Sequence, residues 1–372
     1  MIYLYSDVLT AVGGVETYLH ALGTKLYREG RPFRIAVSEQ EPKSAPCSFL
    51  DEFEEEGIDV YRQPYVPGDR WYLRKRLLML WLWWHLEPDD WVYCVRQPVP
   101  ALYEELVQLV HSRDAKIGAS WMFAPEFLVP DPPHFNSFCR AVEKTDAVVS
   151  MSECTVPQFE DVYGYEGPVE VVPLHNLELF EEAVPLPDAP PWHIGFTGRL
   201  SIEQKNLDRI LEAFKRLQKT DSNMHLNLHG DGPDEAELKQ LASDLGIRDS
   251  VTFHGRYDHR NDLPKIMENN HLFVHTSHYE GGPPLSVLEI LQAGRFLVTS
   301  PVGGIPDVYA NHPEAGIMVT PENTEKIFMA LREGVRRIKS ETSHPDMIRA
   351  IYDGKYDLRT VHKKWLKSIG IV

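Results

Sequence analysis

The sequence predicts an α/β protein built of two doubly wound domains facing across a cleft, and three observations predict it. Strand-like apolar runs alternate with amphipathic helical stretches through both halves, the pattern of parallel sheets with helical crossovers. The 372 residues exceed one typical core and suit two. Pro185 to Pro191 is proline-rich, as expected of an interdomain linker.

In the first half, Ile2 to Tyr5 reads as the opening strand and Ser6 to Gly14 as a loop ending in Gly13-Gly14. Val15, Leu19, Leu22 and Leu26 then recur at helical spacing, and Gly30 closes that helix. A glycine pair alone is commonly just a tight turn. Phe33 to Val37 and Ile58 to Tyr61 read as strands, with an acidic stretch from Asp51 to Glu56 between them that suits a solvated helix face. Arg70 to Leu86 is basic at one end and carries Trp81, Trp83 and Trp84 at the other. It reads either as a helix lying in an anionic membrane interface, where Trp and Arg are favoured, or as a core helix with a basic first turn. Trp91 to Val95 and Lys116 to Ser120 supply further strands, with a helix over Ala101 to His111.

In the second half, a strand from Trp192 to Thr197 leads into Gly198-Arg199-Leu200-Ser201 and on to Lys205-Asn206. Leu207, Ile210, Leu211, Phe214 and Leu217 then form one face of a helix. Arg199 and Lys205 therefore sit between a strand end and a helix start. Two cations there suit a diphosphate, the Arg by its planar fork and the Lys as a point charge. The plainer reading is two solvated surface cations. His225 to Leu228 is a strand, followed by the turn His229-Gly230-Asp231-Gly232-Pro233 and a helix from Glu235 to Leu245. Val251 to Phe253 is a strand running into Gly255-Arg256-Tyr257.

The stretch richest in chemistry is Tyr279 to Gly294. It follows the strand Leu272 to His275. Gly281 and Gly282 let the backbone approach a ligand, Pro284 suits a first helical turn, and Leu285 to Ala293 reads as a half-buried helix capped by Gly294. Free N–H groups at that helix start, around Leu285 and Ser286, make an anion site at the carboxyl edge of a sheet. Two carboxylates, Glu280 and Glu289, flank it. Carboxylates beside a phosphate site suit a ligand that carries both phosphates and hydroxyls, such as a nucleotide sugar. The plainer reading is a β–α turn with a capping acid and a surface Glu. Phe296 to Thr299, a glycine loop at Gly303-Gly304, a strand at Gly316 to Val319 and a helix at Thr324 to Ile338 complete the alternation.

The Tyr279–Gly294 stretch resembles the paired-glutamate motif of retaining GT-B glycosyltransferases, most closely glycosyltransferase family four, the glycosyl transferases group 1. Pro284-Leu285-Ser286-Val287-Leu288-Glu289 with Gly294 behind it matches closely. The loop between the glutamates is one residue longer than is usual in the family. The resemblance covers most of the chain and implies two Rossmann-like domains. One spans 1–180 on the acceptor side and is completed by a C-terminal helix in 356–372; a donor domain spans 190–350. It implies donor binding by Gly13, Gly14, Arg199, Lys205, Gly230, Gly232, Arg256, Glu280, Gly281, Gly282, Leu285, Ser286 and Glu289. Of these, Glu280, Arg199 and Lys205 stand nearest the reaction and Glu289 on the ribose. It further implies a UDP-sugar rather than a GDP-sugar donor, a glycan or lipid-linked acceptor in surface polysaccharide synthesis, retention of anomeric configuration and no cofactor. No metal is expected on grounds of charge: Arg199, Lys205 and the helix amides near Ser286 can neutralise a departing diphosphate, and the sequence shows no paired aspartates at a strand end. Many relatives carry a His near the end of the strand at Lys116 to Ser120; here the candidate positions are Ser120 and Trp121, with His134 nearby in sequence.

A net charge of -17 argues against nucleic acid as a partner. Cys47, Cys94, Cys139 and Cys154 are scattered, without metal or redox spacing. The chain opens directly on a strand and has no apolar stretch long enough to span a bilayer, so the expected location is cytoplasmic, with the inner face of the membrane held open. A Rossmann dehydrogenase is a poor rival, because neither Gly13-Gly14 nor Gly303-Gly304 fits Gly-x-Gly-x-x-Gly. The remaining alternative is a non-catalytic nucleotide-sugar-binding subunit of a glycosyltransferase complex.

Overall fold

The structure, a computed structural model, describes residues 1–9, 14–39, 48–63, 71–122, 125 and 129–371. The chain divides into two compact units, residues 1–177 with 358–372, and residues 178–357.

Among the described residues, the first unit has a parallel sheet of seven strands: β1 (Ile2–Leu9), β2 (Phe33–Glu39), β3 (Val60–Gln63), β4 (Trp91–Cys94), β5 (Lys116–Trp121), β6 (Ala147–Ser150) and β7 (Val169–Val171). Their order is β3-β2-β1-β4-β5-β6-β7. The helices are α1 (Gly14–Arg28), α2 (Ser48–Glu55), α3 (Trp71–His85), α4 (Pro100–His111), α5 (Pro132–Glu143) and α6 (Pro157–Tyr163). β4 is buried at all four positions, as central strands of parallel sheets are. The first strand runs past the expected Tyr5, because pairing with β2 continues to Leu9↔Glu39 across an irregularity. Gly13 lies outside the described residues, and Gly14 begins α1 with its surface exposed.

α3 takes both of the faces that the sequence left as alternatives. Leu78, Met79, Leu82 and Leu86 are buried against the sheet, and Trp81 stacks between Tyr61 and His85 at centroid distances of 4.4 and 4.2 Å. The opposite side exposes Leu73, Leu77, Leu80, Trp83 and Trp84, the last 72% accessible. Lys75 is buried, and Arg76 binds Glu105 at 2.9 Å.

The second unit contains β8 (Trp192–Thr197), α7 (Ile202–Lys205), α8 (Leu207–Thr220), β9 (Met224–His229), α9 (Glu235–Asp244), β10 (Val251–Gly255), α10 (Leu263–Glu268), β11 (Leu272–His275) and α11 (Leu285–Gln292). β12 (Phe296–Thr299), α12 (Ile305–Tyr309), β13 (Gly316–Met318), α13 (Thr324–Lys339) and α14 (Pro345–Lys355) follow. The sheet is parallel, in the order β10-β9-β8-β11-β12-β13. Chain direction through the sheet reverses between β8 and β11, the switch point at which open α/β sheets leave a crevice beyond their strand ends. The apolar face of α8 (Leu207, Ile210, Leu211, Phe214 and Leu217) is buried. Arg295 is buried as well. Its guanidinium donates to the carbonyls of Met267, Asn270, Val184 and Pro185, and burial lowers its pKa to about 10, so it stays charged at neutral pH. That ties the stretch entering the second unit to the end of α11.

After the second unit the chain returns to the first as α15 (Leu358–Ser368). Trp365 is fully buried edge-on to Tyr93 at 5.0 Å, and His362 Nδ1 meets His175 Nε2 at 3.1 Å.

Candidate functional site

The residues singled out from the second half gather on the loops that leave β8, β9, β10 and β11. Three backbone contacts build this arrangement. Gly230, at φ +135°, lies so close to the loop after β8 that a Cβ there would come within 1.8 Å of the Gly198 carbonyl. Gly303 approaches the Glu280–Gly281 peptide equally closely: a Cβ would lie 2.2 Å from the Gly281 oxygen, and the neighbouring Gly304 N–H donates to that oxygen at 2.7 Å. The carbonyl of Gln204 accepts from the His278 N–H at 2.8 Å, joining α7 to the loop that carries Glu280. Asp234, from the turn after β9, accepts from the Ile202 N–H at 2.7 Å and caps α7.

The join between the two loops brings Lys205 and Glu280 together. Lys205 Nζ forms an ion pair with Glu280 Oε1, both side chains being about nine-tenths buried. The sequence assigned these residues to separate parts of a ligand; the structure pairs them with one another. Arg199 is exposed and makes no side-chain hydrogen bond or ion pair among the described residues. Gly281 and Gly282 are buried in the loop, Leu285 is buried and Ser286 half-buried at the start of α11. The first bond of that turn runs from the Val287 N–H to the Pro284 carbonyl, so the N–H groups of Leu285 and Ser286 precede the helical ladder. Gly232 sits against Leu200, whose carbonyl a Cβ would meet at 2.2 Å.

Glu289 is fully buried inside α11. Its Oε1 contacts His259 Nδ1 at 3.0 Å, while its Oε2 has no hydrogen-bond partner among the described residues. Burial pushes the His259 pKa down, but the hydrogen bond and charge of Glu289 outweigh it, and the net shift is upward. Sequence reasoning missed His259, an isolated histidine on the loop before α10. Asp258 braces that loop by accepting from the Arg260 and Asn261 N–H groups at 2.9 and 2.8 Å. Tyr257 packs beside His259, ring centroids 5.0 Å apart, and burial reinforced by the Glu289 charge raises its pKa strongly. Arg256 is exposed and, with Gly255 and Tyr257, helps line a cavity of about 550 Å³.

At the switch point, His275 at the end of β11 faces Thr197 at the end of β8, with Nε2 3.4 Å from Oγ1. Burial, helped by Lys205, lowers its pKa to about 3. In the first unit Ser120 is buried under the hydroxyls of Tyr93 and Tyr18, at 2.7 and 3.3 Å, and Trp121 is buried in the core. Neither presents a base. His134 is half-buried at the start of α5. Among the described residues no group of three or more His, Cys, Asp or Glu is arranged to hold a metal ion.

Residues 180–349 match the family model for glycosyl transferases group 1. Among curated proteins the chain is similar to an exopolysaccharide phosphotransferase of Streptomyces coelicolor, 26% identical over 56% of this chain and 22% of that one. This chain thus spans about a fifth of that relative. It is also similar to glycogen synthase of Mycobacterium tuberculosis, 24% identical over 86% of this chain and 82% of that one. Among solved structures it superposes on Anabaena HepE in complex with UDP-glucose, with a TM-score of 0.77, 16% identity, and 100% and 99% of the two chains covered. The shared architecture is the GT-B fold of two Rossmann-like domains.

The buried imidazoles of the second unit carry a pH dependence of their own. Burial lowers His229 and His275 to about 3 and His271 to about 4, against an ordinary value of 6.5. The folded state binds fewer protons there than the unfolded state. The stability these neutral rings contribute is therefore complete above about pH 6.5 and lost as pH falls toward the folded values. The midpoint of thermal unfolding should drop between about pH 7 and about pH 4.5, and His229→Asn should flatten that slope.

Proposed function

We propose that this GT-B hexosyltransferase moves a sugar from a nucleotide donor, a UDP-sugar in preference to a GDP-sugar, onto a lipid-linked or oligosaccharide acceptor in surface polysaccharide assembly. In this reading the second unit binds the donor, the first receives the acceptor, and transfer retains anomeric configuration without a metal. The alternative of a non-catalytic subunit is not favoured, because the family match and the relatives are to transferases.

One observation carries the reading: Glu289 is a buried carboxylate with one oxygen satisfied and the other without a partner among the described residues. An unpaired buried acceptor is costly, and a ligand hydroxyl would relieve that cost. The ribose of a nucleotide supplies such a hydroxyl. Its diphosphate would then lie toward the N–H groups of Leu285 and Ser286, with Arg199 and Lys205 as counter-charges. Lys205 would exchange Glu280 for phosphate, freeing the Glu280 carboxylate to accept hydroxyls of the donor sugar. The bond from C1 to the diphosphate oxygen breaks, and a bond from the acceptor oxygen to C1 forms on the same face. The acceptor proton passes to the departing phosphate oxygen. This route needs no protein base, in keeping with the buried Ser120 and Trp121.

Isothermal calorimetry with UDP tests the pocket. Glu289→Ala should weaken binding by about 1.5–3 kcal/mol, the scale of a hydrogen bond to a charged group. Unchanged affinity in a folded variant would remove Glu289 from the site.

The reaction course is tested by running transfer in excess EDTA and reading the anomeric proton coupling of the product by NMR. Full activity and a retained configuration are expected. Activity lost to chelator and restored by Mn²⁺, or an inverted product, would sink the corresponding half of the proposal.

Peripheral membrane contact is supported by the exposed Leu and Trp side of α3. With Lys75 buried and Arg76 held by Glu105, the apolar residues are the stronger contributors. Co-sedimentation with anionic liposomes should fall in a Leu80→Ser/Trp84→Ser double variant. Sedimentation unaltered by the pair would argue against α3 as the docking element.

A further inference from the structure

The parallel sheet of the second unit breaks a rule on one of its faces. Strands of parallel sheets are ordinarily covered on both sides and apolar throughout. In β9, Leu226 and Leu228 obey it and are fully buried, and Phe253 of β10 lies under Lys239 of α9. The alternate positions are polar: His225, Asn227 and His229 on β9, Thr252 and His254 on β10. They form a connected layer. His225 Nε2 meets Thr252 Oγ1 at 2.8 Å, and His254 Nε2 meets Asn227 Oδ1 at 3.1 Å. Asn227 Nδ2 donates to Asn270 Oδ1 at 2.9 Å and lies 3.2 Å from His193 Nδ1.

Asn227, His229 and His254 of this layer floor the cavity of about 550 Å³, with Lys265 and Asn269 on its α10 side. That volume falls within the range of small-molecule sites. His229 Nε2 is buried there without a partner among the described residues. The rings of His229 and His254 stack at 4.1 Å and 10°. Burial holds the imidazoles of His193, His225, His229 and His254 toward their neutral form. Of the charged groups in the lining, Lys265 and Arg256 are matched in number by Asp188 and Asp262.

We propose that this trough is a second binding site, for a short neutral oligosaccharide, which meets the donor-binding loop of Arg256 at one end. An apolar ligand would leave His229 Nε2 unsatisfied, and a polyanion would find no excess of cations. A saccharide offers hydroxyls that both donate and accept, matching amides and neutral imidazoles, and its C–H face packs on a flat stacked pair. Such a site would hold a glycan on the donor-binding unit while its end reacts elsewhere.

The test uses the full chain with maltotriose, cellotriose and tri-N-acetylchitotriose as probes. Binding is read by calorimetry, and protection of His254, the more accessible ring of the stacked pair, from diethyl pyrocarbonate by peptide mass spectrometry. At least one trisaccharide should bind and slow modification of His254 several-fold. Asn227→Leu, which removes the central amide, and His254→Phe, which keeps a stacked ring without its nitrogens, should each weaken that binding about tenfold, the equivalent of one hydrogen bond. UDP affinity should be unchanged in both. The proposal is overturned if no probe binds, if the variants bind as the parent does, or if UDP alone protects His254, which would make the trough part of the nucleotide pocket. Failure of UDP to bind the parent protein would count against the nucleotide-sugar reading and leave the saccharide result standing.

Discussion

The second unit depends on places where backbone meets backbone too closely for any side chain. Gly230 against Gly198 and Gly303 against Gly281 are contacts that no Cβ survives. Each joins loops from different strands, so four chain segments converge on the rim of the switch point at β8 and β11 without side chains to space them. Sheet order alone would provide a crevice. The glycine contacts narrow it until main-chain N–H groups, a lysine and two carboxylates share one small region.

Converging so much charge raises the question of what each group does with no ligand present. Lys205 and Glu280 answer it by pairing with one another, and among the described residues Glu289 takes His259 on one oxygen and nothing on the other. The two carboxylates thus differ in kind. One is compensated by a cation and can be released by exchange; the other keeps a standing acceptor in a buried place. A buried charge is tolerable when partnered and costly when not, so the half-satisfied Glu289 is the less stable element of the pair and the more informative one.

Much of this architecture was legible in the sequence because the signals were local. Period-2 and period-3.6 runs marked the strands and helices, and Gly281-Gly282-Pro283-Pro284 ahead of an apolar helix fixed a strand–loop–helix turn at the observed place. What was not legible is non-local. The extension of β1 to Leu9 comes from pairing with β2, to which Ser6 and Asp7 give no clue. α3 is apolar around most of its circumference, so periodicity had no power to say which side faces the core; the structure buries one side and exposes the other. The ion pair of Lys205 with Glu280 and the contact of His259 with Glu289 join residues 75 and 30 positions apart. The polar face of the second sheet was visible as His-Leu-Asn-Leu-His over 225–229, an alternation unusual for a strand inside a parallel sheet, yet the stretch was read only as a strand.

The return of α15 to the first unit bears on the order in which the molecule is made. Tyr93 and His175 belong to the early part of the chain, while Trp365 and His362, which cover them, emerge from the ribosome only after the whole second unit. The second unit is one uninterrupted segment and has every strand of its sheet in hand before α15 exists. The first unit must wait with an aromatic surface open to water or to a chaperone, although most of it was synthesised first. A nascent chain stalled anywhere within the second unit therefore displays an unfinished neighbour behind it, and α15 acts as the closing piece that ends that exposure.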